Sequence, residues 1–118
     1  MFKLAPPATY WWPVRFCVPS DEKPGTFDAA EFDVLFKHLT NSQNDALLAD
    51  VHKNRLPDRE VVRHIVVGFR GVHETDGAPV VFSQATLDKL TDTPCVDEAI
   101  VRAYFASRKG SSEIVGRG

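Results

Sequence analysis

Cysteine is scarce in this chain: Cys17 and Cys95 are the only two, and they have no CxxC spacing. Neither completes a zinc pattern, and the first residues lack the basic and apolar regions of a secretory signal, so a reducing cytosol is expected rather than export, with both thiols buried as small apolar residues. Long apolar runs are missing as well. The longest are a few residues, far below the roughly 20 that cross a bilayer. An excess of one charge is also absent, since 14 Lys and Arg stand against 16 Asp and Glu. The basic residues are scattered, which argues against the basic stripe of a nucleic-acid-binding domain.

What is present is an ordinary globular composition, with 43% hydrophobic and 25% charged residues over 118 positions. A wholly disordered chain is excluded and one domain is expected. A domain of this length buries roughly two-thirds of its unfolded surface, enough to fold without staples and with little to spare.

Met1 to Pro7 carries two prolines and reads as an extended segment on the surface or at a sheet edge. From Tyr10 to Val18, the residues Trp12, Val14, Phe16 and Val18 recur at the two-residue period of a strand, and Pro13 places that strand at an edge or a bulge. Ser20 to Gly25 reads as a loop. In Phe27 to Leu39, Phe32, Val34 and Phe36 alternate as in a strand, while Phe32, Leu35, Phe36 and Leu39 also fit a helix face. The aromatic and β-branched content favours a strand, paired with the first as a hairpin.

Thr40 with Gln43 is a capping-box signature, and Leu47, Leu48 and Val51 then fit a helix over 41–52. Asp58 is expected to cap a second helix whose apolar face is Val61, Val62, Ile65 and Val66, with Gly68 at its end. Phe69 to Phe82 reads as turns with short extended pieces, and Asp76-Gly77 is a strong two-residue turn signal. Ser83 caps a short helix bearing Leu87 and Leu90. Thr93-Pro94 supplies a cap and a first-turn proline for a last helix through Val96, Ile100, Ala103 and Tyr104 to about Ser107. The expected fold class is α+β: an N-terminal antiparallel strand pair followed by about four helices packed on one face. Residues 1–108 form the single domain, and 109–118 have the composition of a flexible tail.

Catalytic chemistry finds no support in the pattern. His38, His52, His64 and His73 do not pair at the i, i+4 spacing of a helical metal site, and none belongs to HExxH. No nucleophile elbow or kinase set occurs. Gly68-Phe69-Arg70-Gly71 is not a phosphate loop, because no Gly-Lys-Ser/Thr element follows. No catalytic residue, metal or cofactor is expected. Trp11 and Trp12 are adjacent in a strand and must point to opposite faces. One is expected in the core and the other exposed or covered by a partner; the alternative is that the chain's own helices cover both.

At Val67-Gly68-Phe69-Arg70-Gly71-Val72 and then Asp76-Gly77-Ala78-Pro79-Val80-Val81-Phe82-Ser83, the sequence resembles the central segment of the tail assembly chaperones of long-tailed bacteriophages. The likeness continues through Leu87, Leu90, Pro94, Ala99, Ala103 and Tyr104, and back to Phe32, Val34, Phe36, Lys37 and Leu39. It covers most of the chain. The motif residues are Gly68, Phe69, Gly71, Asp76, Gly77, Pro79, Phe82 and Tyr104. Phe69 stands where many members carry Trp, which keeps the apolar bulk and removes the indole donor.

The resemblance implies a non-enzymatic protein of the bacterial cytoplasm that binds the tape measure protein and helps bring major tail tube protein to it. Such a protein is absent from the finished particle, can form a homo-oligomer, and has neither nucleic acid nor a membrane as partner. In some members a programmed frameshift near the end of the gene adds a second domain. Residues suited to meet an apolar client are Trp11, Trp12, Phe69, Phe82 and Tyr104, with core the competing role for all of them and the favoured one for Phe82 and Tyr104. The alternatives are a head-tail connector or minor tail protein retained in the virion, and a small enzyme whose site is assembled from distant residues.

Overall fold

A computed structural model of the protein describes Leu4 and residues 7–109. The residues assigned to the flexible tail, from Gly110 onward, lie outside this range, as does most of Met1 to Pro7. Strands β1 (Thr9–Pro19) and β2 (Phe27–Lys37) are followed by helices α1 (Asn41–Asn54) and α2 (Asp58–Ile65), strand β3 (Val66–Arg70), and helices α3 (Gln84–Thr91) and α4 (Val96–Lys109). The α+β expectation is met: a three-stranded antiparallel sheet in the order β1-β2-β3 and four helices.

The hairpin is in register from Thr9 opposite Lys37 to Pro19 opposite Phe27. Its turn is held locally. Ser20 N–H donates to Thr26 O at 2.9 Å, Glu22 and Lys23 N–H donate to Ser20 Oγ, and Gly25 takes φ +82. Even-numbered residues of both strands turn toward the helices, so Val14, Phe32, Val34 and Phe36 are buried. They meet Val61, Val62 and Ile65 of α2, Leu87 of α3 and Val96, Ala99, Ile100 and Tyr104 of α4 in one cluster. Phe36 packs edge-on against Tyr104 with ring centroids 5.3 Å apart.

The capping box at the start of α1 forms as read: Gln43 N–H donates to Thr40 Oγ1 at 3.2 Å and Thr40 N–H donates to Gln43 Oε1 at 2.9 Å. The next helix differs from expectation. Pro57 is the N-cap of α2 and Asp58 its first residue, and the helix stops at Ile65 instead of running to Gly68. Val66–Arg70 becomes β3 because β2 offers an unpaired edge there. Arg70 pairs with Asp33, Phe69 with Val34, Gly68 with Leu35 and Val66 with Phe36, with a bulge between Leu35 and Phe36. Two β-branched valines have little to lose by leaving the helix for a ladder.

Ser83 caps α3 as expected, accepting from Thr86 N–H at 3.0 Å. Thr93 does not cap α4; its hydroxyl donates to Lys89 O at 3.3 Å. Pro94 and Cys95 form a turn, and Cys95, at φ 71, supplies the carbonyl that accepts from Ala99 N–H at 3.0 Å. The helix therefore begins two residues after the proline and runs on to Lys109.

Candidate functional site

Among the described residues, helices cover one face of the sheet, and the odd-numbered positions of β1 and β2, with Gly68 and Arg70 of β3, stand on the other. The register sets them in rows across the strands: Trp11, Leu35 and Gly68 in one, Pro13, Asp33 and Arg70 in the next, then Arg15 and Glu31. Gly68 is the key to the first row. A Cβ there would stand 3.3 Å from Leu35 Cβ and 3.9 Å from the outer ring edge of Trp11, so the missing side chain lets the indole reach across β2 to β3.

Arg70 completes the arrangement. Its guanidinium carbon lies 4.1 Å from the Trp11 ring centroid, and its Nε donates to Asp33 Oδ2 at 3.1 Å. Stacking of this kind contributes about 0.5–1 kcal/mol at exposed sites, and a surface ion pair about 0–1 kcal/mol, so the cluster adds little to stability. Its consequence is orientation: Trp11 stays 41% exposed yet is held between Gly68, Leu35 and Arg70. A tryptophan already ordered loses little rotamer freedom when a partner covers it, which is the usual character of an interface anchor. Farther along the face, Arg15 Nε donates to Glu31 Oε2 at 2.9 Å. Comparison with protein-family models, curated proteins and solved structures finds no match.

The other candidate residues have different surroundings. Trp12 lies on the helix side, opposite Val34, yet is 36% exposed beside a recess lined by Tyr10, Leu39 and Arg108. The two tryptophans do point to opposite faces, but neither is a core residue. Phe69 is buried, in edge-on contact with the half-buried Phe82 at 5.4 Å. Tyr104 is fully buried and its hydroxyl donates to Asn44 Oδ1 at 2.8 Å. Phe69 and Tyr104 therefore belong to the core and not to a free client surface, because the pleat and the α4 face turn them inward.

The remaining motif residues shape the Gly71 to Ser83 loop. Gly71 has φ +81 and Gly77 φ +89, Gly77 N–H donates to Glu74 O at 2.9 Å, and Ala78 N–H donates to Asp76 Oδ1 at 2.9 Å. Pro79 bridges to His73. Asp76-Gly77 does turn the chain, but within a three-residue loop, Thr75 to Gly77, that Glu74 N–H closes by donating to Ala78 O at 2.8 Å, in place of the two-residue turn expected.

Cys17 and Cys95 are free and exposed, contrary to the expectation of buried thiols, since Cys17 occupies an odd strand position and Cys95 a turn. All four histidines are exposed. Among the described residues, no three His, Cys, Asp or Glu side chains converge on a metal-sized site, and no helix is long and apolar enough to cross a membrane. The groups with shifted titration lie away from the Trp11 cluster. Burial raises the Asp58 carboxyl above its usual range, with help from Asp97 and Glu98 at the start of α4. Burial also raises the Tyr104 hydroxyl, opposed by Arg108.

The reading of the sequence missed Arg70, Asp33 and Leu35. A signal for Leu35 was available. Once Phe32, Val34 and Phe36 are assigned inward, Leu35 becomes an apolar side chain on the outward face, flanked there by the charged Asp33 and Lys37.

Proposed function

We propose that this protein is a tail assembly chaperone of a bacteriophage or prophage. It works in the bacterial cytoplasm, binding the tape measure protein and helping to recruit tail tube subunits, and it leaves before the virion is complete. Support comes from the ordered resemblance running from Val67 to Tyr104. The observation that carries the client-binding part of the reading is the Trp11 cluster on the bare face of the sheet. A chaperone without an energy source must cover apolar client surface by binding alone, and a preordered indole on an otherwise charge-balanced face suits that task.

The test is co-expression of the tagged chain with the tape measure protein of the same genome, using an unrelated coiled-coil protein as control. Selective recovery of the tape measure, lost in Trp11→Ala with the fold intact, is the expected outcome. Mass spectrometry of purified particles provides the second arm. A stoichiometric signal from this chain in the virion would sink the chaperone reading in favour of a connector or minor tail protein.

A further inference from the structure

Among the described residues, the sheet has two unlike edges with no strand paired to them. At the ends of the hairpin ladder, His38 N–H donates to Ala8 O at 2.8 Å and Ser20 N–H to Thr26 O at 2.9 Å. Even-numbered residues are thus the mutually bonded pairs of β1 and β2, and odd-numbered residues direct their backbone groups outward. On β1 the outward residues include Trp11, Pro13, Arg15, Cys17 and Pro19, and two of these five have no N–H. Such an edge is a poor template for an added strand.

The opposite edge is different. On β2 the outward groups of Asp33 and Leu35 face Arg70 and Gly68 of β3. Below Asp33 the partner strand ends, leaving Phe27, Ala29 and Glu31 with outward backbone groups and no proline among them. Among the described residues, no backbone or side-chain group outside the hairpin bonds to these three. Phe27 is 68% exposed and Ala29 and Glu31 are exposed too; α4 packs chiefly under β1, with Cys95, Glu98 and Arg102 across a recess from Ala29 and Glu31.

We propose that this half-edge pairs with the same half-edge of a second copy, antiparallel, about a two-fold axis at Ala29. The two hairpins then form one continuous four-stranded sheet. An antiparallel edge is self-complementary, because each outward N–H and C=O meets its counterpart when the strand is turned about the axis. Charge and the end of β3 together select the register: an axis at Ala30 would bring Phe27 opposite Asp33, whose outward groups already face Arg70. With the axis at Ala29, Phe27 faces Glu31 and Asp28 faces Ala30, so no like charges are opposed. Moving the axis to Asp28 or to Glu31 sets two carboxylates directly opposite each other. The proposal rests on ladder geometry alone, and its failure would leave the tail-assembly reading where it stands.

Sedimentation equilibrium over a concentration series, combined with amide hydrogen exchange on the full chain, decides the matter. The expected mass rises from 13.1 kDa toward twice that value. Over the same range the amides of Ala29 and Glu31 slow, while those of Ala30 and Phe32, already bonded to β1, do not change. Ala29→Pro removes one outward N–H, as Pro13 and Pro19 do on β1, and is expected to keep the hairpin and abolish the dimer. A chain that stays monomeric throughout overturns the proposal, even if the edge then accepts a strand from another protein. So does a dimer that leaves Ala29 and Glu31 unprotected. Exchange on the unmodified chain separates these outcomes even if the proline variant unfolds.

Discussion

Neighbouring residues of β2 meet opposite environments. Phe36 is fully buried against Tyr104, whereas Leu35, one position earlier, lies half-covered on the bare face beneath the Trp11 indole. On the helix side, Val14, Val34, Phe36, Ile65 and Ile100 share one closed cluster, and the stabilisation is burial of apolar area. On the bare side it is a stack, two exposed ion pairs and a glycine contact, each contributing little. Stability is thus concentrated on one face of the sheet, and under the proposed function recognition falls to the other, so substitutions should separate them.

The sharpest test of that division is Phe36→Ala. It should cost about 3–5 kcal/mol by urea unfolding, as for a buried aromatic, with Leu35→Ala costing a small fraction of that. Equal losses at the two positions would break the comparison, since the bare face would then be as closely packed as the core. Asn44→Ala comes next. It leaves the buried Tyr104 hydroxyl without its acceptor on α1, for an expected loss of about 1–3 kcal/mol. Adding Tyr104→Phe should return part of that loss, because the stranded polar group is then gone.

Trp11→Ala is expected to shift unfolding by about 1 kcal/mol or less, mainly the lost stack with Arg70, while under the proposed function recovery of the tape measure protein falls away. A large drop in Tm would place Trp11 with the core. The smallest effect belongs to Asp58→Asn. Burial, and then Asp97 and Glu98, raise the folded pKa of Asp58, so its stabilising contribution is fully present below the unfolded pKa and is lost as pH rises through the folded value. In thermal melts the variant should therefore gain slightly on the parent as pH rises above the unfolded carboxyl range, with no gain at the acid end.

Much of the fold was legible because local chemistry and tertiary demand agreed. Thr40 with Gln43, Ser83 at the start of α3, Asp76-Gly77 and the alternation of Val14, Phe16, Phe32, Val34 and Phe36 each act through groups close by in the chain. Disagreement came where a distant partner competed. Val66 and Val67 continue the apolar face of α2 in sequence, yet the free edge of β2 draws them into β3. Thr93-Pro94 is a plausible helix start, yet Thr93 turns back to close α3.

The candidate site was half legible for the same reason. Adjacency placed Trp11 and Trp12 on opposite faces, but no local rule says which face the helices cover. Phe69 looked as available to a client as Trp11 until the pairing of β3 turned it toward the helices.

By itself, the sequence determined that there would be a hairpin with one apolar set of alternate residues, that Thr40 and Ser83 would cap helices, and that the chain would turn at Asp76-Gly77. Those features depend on interactions spanning a few residues. Only the tertiary structure decided that Gly68 would serve as a bed for Trp11 and that Arg70 would stack on the indole. It also decided that half of one β2 edge would be left without a partner. Each of those depends on a register between strands roughly 30 to 60 residues apart in the chain, which long-range packing sets and local chemistry does not.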